Sequence, residues 1–334
     1  MLSVCVPAYN SENNIEQTIQ SILDQDYDCY EIVVVDDGSL DGTLRVLNRI
    51  AVNNDKLRVI HQENKGVFHA RCTAFSHAKG EYLITVDADD FLCDGALRRI
   101  SEYCAENDFP DIVLYDYQAL KQGAGSGRES VIRLFRSGVP GADAIKDRFL
   151  FGGGLNALWI KAIKKSLLDI EGIQGFPRIS MADDWIISFW PMMRGQSFGY
   201  IDEPLYTYTL LGDGMTCNFD YDHCRTLKLI YELELEAISQ HVINGNLLER
   251  VKQSYLRDIA MAIAYTIAPA RDAPAYETML GELREDEDLR KLFDEEGRKI
   301  NPLYRFALKL LFGGNFKPLR IIKNAVSAIR TRTR

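Results

Sequence analysis

The chain has 334 residues, of which 46% are apolar and 26% are charged, and its net charge is −9. This composition is close to the average of folded soluble proteins and argues against a fibrous or largely disordered chain. The length allows one large α/β domain with an appendage, or two domains of ordinary size.

The seven cysteines and the apolar segments indicate in which cellular compartment the protein lies. No two cysteines form a CxxC pair, and most lie in apolar stretches, as reduced core residues do. The first residues have the pattern of a strand and not of a signal peptide, and no stretch approaches the roughly 20 apolar residues of a membrane span. The sequence therefore predicts a cytoplasmic protein.

From residue 2 to about 116, short β-branched runs alternate with amphipathic stretches. The predicted strands are 3–8, 31–36, 58–62, 82–87 and 112–117. The predicted helices between them are 12–25, 41–52, 67–78 and 94–106. This alternation is typical of βαβ units and predicts an α/β fold with a mostly parallel central sheet flanked by helices.

Two of the predicted strands end in acidic clusters, Asp36-Asp37 and Asp87-Ala88-Asp89. Ligands of open parallel sheets bind outside the carboxyl ends of the strands, so both clusters lie where a ligand would sit. Two carboxylates spaced like Asp87 and Asp89 can point at one position, and such oxygen ligands suit Mg²⁺ or Mn²⁺. By itself the pair is weak evidence, because acidic turns often only cap a helix.

Two glycine-rich segments follow the predicted strands, at 121–128 and 151–154. Neither contains the Lys-Ser/Thr that completes a phosphate-binding P-loop. We interpret the first as a surface loop and the second as a mobile turn near the acceptor.

The carboxyl-terminal third differs from the rest. Residues 220–296 place apolar side chains at helical spacing and predict a helical appendage. Residues 298–334 contain ten Lys or Arg and no Asp or Glu. Within them, 302–334 has the composition of a basic interfacial helix pair, which predicts contact with an anionic membrane surface. An ordinary packed helix with a solvated basic face is the alternative.

A series of motifs runs in order through the first 90 residues. They are VPAYN at 6–10, VVVDDGSLDGT at 33–43, QENKGV at 62–67, AR at 70–71 and GEYLITVDADD at 80–90. In content, order and spacing the series resembles the family 2 glycosyltransferases. The stretches 158–168, 181–185 and 203–208 also resemble the acceptor half of bacterial members, so the likeness covers about residues 1–216.

The resemblance implies a GT-A fold with a nucleotide-sugar-binding half, 1–117, and an acceptor half, 118–216, followed by a helical region, 217–334. It implies that Tyr9 lies near the base, that Asp37 and Asp36 accept hydrogen bonds from the base or ribose, and that Arg71 reaches the nucleotide. Asp89, together with Asp87, would hold Mn²⁺ or Mg²⁺. The nucleotide-sugar contacts implied in full are Pro7, Tyr9, Asp36, Asp37, Arg71, Asp87 and Ala88.

For the chemistry, the resemblance implies inversion at the sugar carbon, with Asp184 as the base that accepts the proton of the acceptor hydroxyl. Asp183 stands where the family usually has Glu, and Trp159, Asp183 and Trp185 are the implied acceptor contacts. Taken alone, Asp183-Asp184 is also consistent with a pair that caps a helix.

The implied partners are a nucleotide sugar, with a UDP-sugar favoured, and a glycan or lipid-linked acceptor in bacterial surface polysaccharide synthesis. With its basic tail, the protein would act on the inner face of the membrane. No aromatic-interleaved basic platform predicts nucleic-acid binding, and a homo-oligomer stays open.

Two other functions are alternatives to glycosyl transfer. A non-catalytic partner subunit is supported only by Asp183. A nucleotidyltransferase would need an early glycine-rich, basic triphosphate-binding segment, which the sequence lacks.

Overall fold

The structure is a computed structural model that describes residues 1–121, 129–210 except 137, 139, 178 and 180, 223–266 and 273–314. The chain forms two compact units, residues 1–214 and 215–334. Most of the glycine-rich 121–128 segment and residues 315–334 of the basic tail lie outside the described residues.

The first unit is built on a nine-stranded sheet. Its strands are β1 Leu2–Ala8, β2 Tyr30–Asp36, β3 Leu57–His61, β4 Tyr82–Thr85, β5 Phe91–Leu92, β6 Ile112–Lys121, β7 Glu129–Ile132, β8 Lys161–Lys164 and β9 Phe198–Leu210. Their order is β3-β2-β1-β4-β8-β6-β9-β5, with β7 paired to β6. The pairs among β1 to β4 are parallel, as is β6 with β9, whereas β5, β7 and β8 pair antiparallel. The predicted α/β fold is confirmed, with the parallel strands concentrated in its first half.

The local sequence explains why β1 and β2 lie inside the sheet. Every residue of β1 is buried, and β2 is buried except at Glu31. Near-continuous apolar runs of this kind are typical of parallel strands covered on both faces. The helices of this unit are α1 Ile15–Leu23, α2 Thr43–Ala51, α3 Val67–His77, α4 Ala96–Glu106, α5 Ala142–Asp147, α6 Ile170–Gln174 and α7 Asp183–Arg194. Of these, α3 packs on β1 and β2.

The second unit is helical, as predicted. Its helices are α8 His223–Ser239, α9 Leu248–Thr266, α10 Ala273–Glu285, α11 Glu287–Glu296 and α12 Pro302–Phe312. Helix α9 contacts α8, α11 and α12. In α12, the side chains of Ala307, Leu308 and Leu311 are buried in the core of this unit. Residues 302–312 therefore pack one side of a helix in this unit, whereas Phe306 of the same helix is exposed. Among the described helices, none is long and apolar enough to cross a membrane.

Candidate active site at the carboxyl edge of the sheet

The parallel pairing of β1, β2 and β4 brings the motif residues to one edge. Ala8 pairs with Asp36 at the ends of β1 and β2, and the Asp37 N–H donates to the Ala8 carbonyl at 2.8 Å. β4 ends at Thr85, directly before the Asp87 cluster. Both acidic clusters therefore lie at the same edge. Pro7 is buried within β1, and Tyr9 extends beyond its end with 45% of its surface exposed.

Asp36 and Asp37 have different surroundings although they are adjacent. Both are buried, and the Asp37 carboxylate accepts hydrogen bonds from Gln62 Nε2, the Lys65 N–H and the Gly66 N–H at 2.7–2.9 Å. Asp37 thus holds the loop before α3 in place. Asp36 Oδ2 lies 2.7 Å from His61 Nδ1, while its Oδ1 has no partner among the described residues. Oδ1 is a buried acceptor that lacks a partner in the described part of the chain.

Gly38 explains why the turn after Asp37 can approach the β3–α3 loop so closely. Its φ is +70°, and a Cβ at this position would lie 2.8 Å from the backbone nitrogen of Asn64. Both facts favour glycine, since other residues adopt this conformation with strain and a Cβ would clash with backbone.

The acidic loop of Asp87 to Asp90 is held from β9. The Tyr206 hydroxyl donates to Asp90 Oδ2 at 2.6 Å and accepts the Asp87 N–H at 3.2 Å. The Thr209 N–H donates to Asp90 Oδ1, and Thr18 Oγ1 donates to the Ala88 carbonyl at 3.0 Å. Burial raises the pKa of Asp90 to about 8 and that of Tyr206 well above its ordinary value. Asp90 supports the loop, which leaves Asp87 and Asp89 as its candidate ligands.

Asp87 and Asp89 are suited to bind a divalent metal ion whose coordination shell is completed by a bound ligand. Burial, and then the charge of Asp87, raise the pKa of Asp89. A bound cation would relieve both effects. Within the described part of the chain no three or more His, Cys, Asp or Glu form a metal-binding group. Two carboxylates suffice for Mg²⁺, which takes one or two of them and completes its shell with phosphate oxygens and water.

Arg71 joins the acidic loop to the predicted acceptor half. It lies in α3 and is 4% exposed. Its Nη2 lies 2.6 Å from Asp87 Oδ1, and its Nη1 donates to both Asp183 and Asp184. Carboxylates from distant parts of the sequence therefore converge on one buried guanidinium, which counters their mutual repulsion.

Asp183 and Asp184 form the first turn of α7. The residue before them, Ala182, has φ +61°, which is uncommon for a residue other than glycine and places strain at the helix start. The positive end of the helix dipole favours the charged form of carboxylates in the first turn. The pair therefore lies in the first turn of a helix but does not cap it, because the N-cap residue is Ala182 and the helix has no side-chain cap among the described residues. The capping interpretation is wrong in this respect.

Burial raises the pKa of Asp184 to about 6, although the charge of Arg71 opposes this shift. Lys161, in β8, is fully buried, and burial lowers its pKa to about 7 against the influence of Asp184. Its Nζ donates to the carbonyls of Asn156 and Ala157. Sequence reasoning assigned Lys161 no role. The signal that could have found it is a single lysine inside the apolar run LWIKAI.

The predicted aromatic contacts, Trp159 and Trp185, are packed on other rings. Trp159 stacks on Tyr206 and Tyr208 with centroids 4.6 and 5.3 Å apart. Trp185 stacks on Phe149 at 5.3 Å and on Phe189 at 4.9 Å. With 8% and 7% of their surfaces exposed, the two indoles present little ring area to a ligand. Both indoles instead pack beside the neighbouring motifs and support them.

The motif segment that builds this edge is similar to known proteins. Residues 3–141 match the family model described as glycosyl transferase family 2. Residues 3–141 therefore form a family 2 glycosyltransferase domain. The matched segment contains β1 to β4, both acidic clusters and Arg71.

Proteins similar to this chain include EpsH of Bacillus subtilis, named as a glycosyltransferase, which is 29% identical over 63% of this chain and 60% of its own. The poly(ribitol-phosphate) β-glucosyltransferase of Bacillus spizizenii is 29% identical over 64% of this chain and 33% of its own. The chain thus spans less than two thirds of each. S. aureus TarS 1–349, solved with UDP-GlcNAc, superimposes with a TM-score of 0.72 at 20% identity, over 98% of this chain and 91% of that one. This last likeness confirms the GT-A fold.

We expect Tyr206→Phe to lower the free energy of unfolding by about 1–3 kcal/mol, because it leaves buried polar groups of Asp90 and Asp87 short of a partner. Equilibrium denaturation measures the loss. Tyr117→Phe is the matched control. Its ring packs on Trp159 at 4.8 Å, and its hydroxyl has no hydrogen bond to any described residue. Equal losses in the two variants would contradict the role assigned to the Tyr206 hydroxyl.

Proposed function

We propose that the chain transfers a sugar from a nucleotide-sugar donor to a hydroxyl of a glycan or lipid-linked acceptor, with inversion at the sugar carbon. One observation carries the proposal. Arg71 brings Asp87 of the donor motif together with Asp183 and Asp184 of the acceptor motif. This arrangement places the residues that would hold a leaving diphosphate beside a proton acceptor, which the transfer needs.

The nucleotide would occupy the carboxyl edge of β1 and β2. The unpartnered Oδ1 of Asp36 offers an acceptor to an N–H of the base, and the exposed Tyr9 ring offers an apolar face. Asp89 and Asp87 would hold Mn²⁺ or Mg²⁺, which supplies positive charge for the departing diphosphate when bound. The chain contributes the oxygen ligands and, through Asp90 and Tyr206, their orientation.

In the transfer step, the acceptor oxygen forms a bond to the anomeric carbon from the face opposite the diphosphate. The bond from that carbon to the diphosphate oxygen breaks, and the nucleoside diphosphate leaves with the electron pair. The acceptor hydroxyl loses its proton to the Asp184 carboxylate. Burial suits Asp184 to this task, because a base with a pKa of about 6 is ionised at neutral pH and still accepts a proton readily.

The comparisons set the order in which substrates should be tested. TarS binds UDP-GlcNAc in the same fold, so a UDP-sugar is the first donor to test. The name of the Bacillus spizizenii relative, a poly(ribitol-phosphate) β-glucosyltransferase, suggests surface polymers as acceptors. We propose a cytoplasmic enzyme at the inner face of the membrane. Because Ala307, Leu308 and Leu311 of α12 are buried within its own unit, we assign membrane contact mainly to residues 315–334, which contain six Lys or Arg.

The donor proposal predicts that UDP with Mn²⁺ stabilises the full chain against heat. A ligand at 100 times its Kd contributes about 2.7 kcal/mol, which corresponds to a rise in Tm of roughly 5–10 °C for a unit of this size. Differential scanning calorimetry with UDP, GDP and ADP, each with and without Mn²⁺, measures the rise and identifies the base.

Asp89→Asn should abolish the metal-dependent part of that rise, whereas Asp24→Asn, an exposed change on α1's carboxyl end, should not. A wild-type chain that no nucleotide stabilises would contradict the donor site and favour the non-catalytic partner subunit.

A further inference from the structure

A cavity in the first unit, apart from the carboxyl edge, is rich in arginine. It has a volume of about 390 Å³ and is lined by Arg133, Leu134, Phe135, Arg136, Gly138, Pro140 and Arg148. Among these lining residues there are three arginines and no Asp or Glu. We call it the arginine cavity. This local concentration of positive charge contrasts with the net charge of the chain, which is −9.

The segment that forms one wall is anchored to β6 and β9. Asp116, fully buried in β6, accepts the Leu134 N–H at 2.8 Å and the Tyr200 hydroxyl at 2.7 Å through Oδ1. The Phe135 and Tyr200 rings meet edge to face at 4.9 Å. Asp116 therefore anchors the backbone of this wall at Leu134, and Arg133 and Arg136 lie on either side of this anchored residue.

Arg148 forms the opposite wall. Its Nη1 donates to the Leu134 carbonyl, and its guanidinium lies 5.0 Å from the centre of the Phe135 ring. The glycine-rich turn at 151–154 leaves room for it. Gly154 has φ +79°, and a Cβ there would lie 3.2 Å from Arg148 Nη2. The turn thus contributes space for a guanidinium and not phosphate-binding backbone.

Arg133 and Arg136 differ from Arg148 in having no bound partner. Both are exposed, and neither makes an ion pair or side-chain hydrogen bond with any residue that the structure describes. Guanidinium groups offer donors in a fork that matches carboxylate and phosphate oxygens. The unpaired guanidinium groups of Arg133 and Arg136, beside that of Arg148, are therefore suited to bind an oxyanion.

The arginine cavity is also connected to the candidate base. Phe149 follows Arg148 and stacks on Trp185 at 5.3 Å with an interplanar angle of 14°. Trp185 directly follows Asp184 in α7. A group held at Arg148 is therefore positioned relative to the helix that carries Asp184.

We propose that the arginine cavity binds one anionic group of the acceptor, a phosphodiester or a carboxylate, while a hydroxyl elsewhere on the acceptor reaches Asp184. This inference rests on the proposed function, since it assigns the chemical class of the acceptor. The acceptor would accordingly be an acidic polymer and not a neutral glycan.

The test compares the binding of three oligomers to the full chain at low salt by titration calorimetry. They are a ribitol phosphate oligomer, an oligogalacturonate and the neutral maltohexaose. The variant is R133Q/R136Q, which leaves Arg148 in place because it supports Leu134. The matched control, R58Q/K79Q, removes the same charge from exposed positions of the same unit. Stabilisation by UDP with Mn²⁺ is measured in parallel.

We expect wild type to prefer one anionic oligomer over maltohexaose, and the preferred oligomer identifies the anion. R133Q/R136Q should weaken that binding about tenfold or more, because bonds to charged groups are lost, while R58Q/K79Q and UDP stabilisation stay near wild type. Equal binding by the two variants, or no anionic preference in wild type, would overturn the site. Anionic preference without any UDP stabilisation would refute its role in an acceptor and would count separately against the proposed function.

Discussion

Asp184→Asn is expected to lower kcat by roughly 10²- to 10⁴-fold, the usual contribution of a positioned base. The amide has nearly the same shape as the carboxylate but cannot accept the proton of the acceptor hydroxyl. Arg71 keeps Asp87 and Asp183 as partners in this variant, so the fold and the donor site should survive. A coupled assay of UDP release in the presence of acceptor measures kcat.

The pH dependence of kcat/KM tests the same assignment, because it reports the ionisation of the free enzyme. The Asp184 carboxylate must be deprotonated to act, and burial raises its pKa to about 6. Activity should therefore be constant above about pH 7 and should fall about tenfold per pH unit below pH 6. In Asp184→Asn the residual activity should lose this acid limb.

Two controls separate chemistry from folding. Stabilisation by UDP with Mn²⁺ should be unchanged in Asp184→Asn, and Asp202→Asn, an exposed carboxylate of β9, should keep full activity. If Asp184→Asn retained more than about a tenth of wild-type kcat, a loss too small for a general base, Asp184 would not be the base.

Arg71→Met is expected to have the largest effect on stability, a loss of about 3–5 kcal/mol in the free energy of unfolding. Methionine fills much of the volume but leaves the carboxylates of Asp87, Asp183 and Asp184 without their shared cation. Urea denaturation measures the loss. Arg98→Met is the comparison, since its ion pair with Asp26 is exposed and such pairs contribute about 1 kcal/mol or less.

The loss should also depend on pH in a defined direction. The charge of Arg71 lowers the pKa of Asp184, so its removal raises that pKa further above the value in the unfolded chain. A group with a raised pKa in the folded state stabilises below its unfolded pKa and loses that contribution as the pH rises through the folded value. The deficit of Arg71→Met in the free energy of unfolding, relative to wild type, should therefore become smaller as the pH is lowered from 8 to 5. A deficit that is independent of pH, or full stability in this variant, would contradict the cluster.

Several features could be predicted because they depend on local pattern. The apolar runs of β1 and β2 and the helical spacing between them predict the α/β fold, and the acidic residues at the ends of β2 and β4 follow from strand direction alone. The motif series predicted the family, which the family model confirms for residues 3–141. The roles of the site residues, including Asp184 as base, stay predictions.

Other features were decided only by packing. Arg71 meets residues 112 and 113 positions away, and no periodicity indicates which distant carboxylates a buried guanidinium will contact. The same holds for Tyr206, whose hydroxyl holds a loop 119 residues earlier in the chain. For α12, the composition of an interfacial helix and of a packed one is the same, and the difference lies in whether neighbouring helices cover its apolar side.

By itself, the sequence of this protein determined the alternation of strands and helices in residues 1–117, the edge of the sheet at which both acidic clusters lie and the family of residues 3–141, because these depend on local pattern or on strand direction. Tertiary structure alone decided which carboxylates share Arg71, the burial of Lys161, the difference between Asp36 and Asp37, and the convergence of Arg133, Arg136 and Arg148. These depend on contacts between distant segments, and burial and charge proximity there set the chemistry of each group.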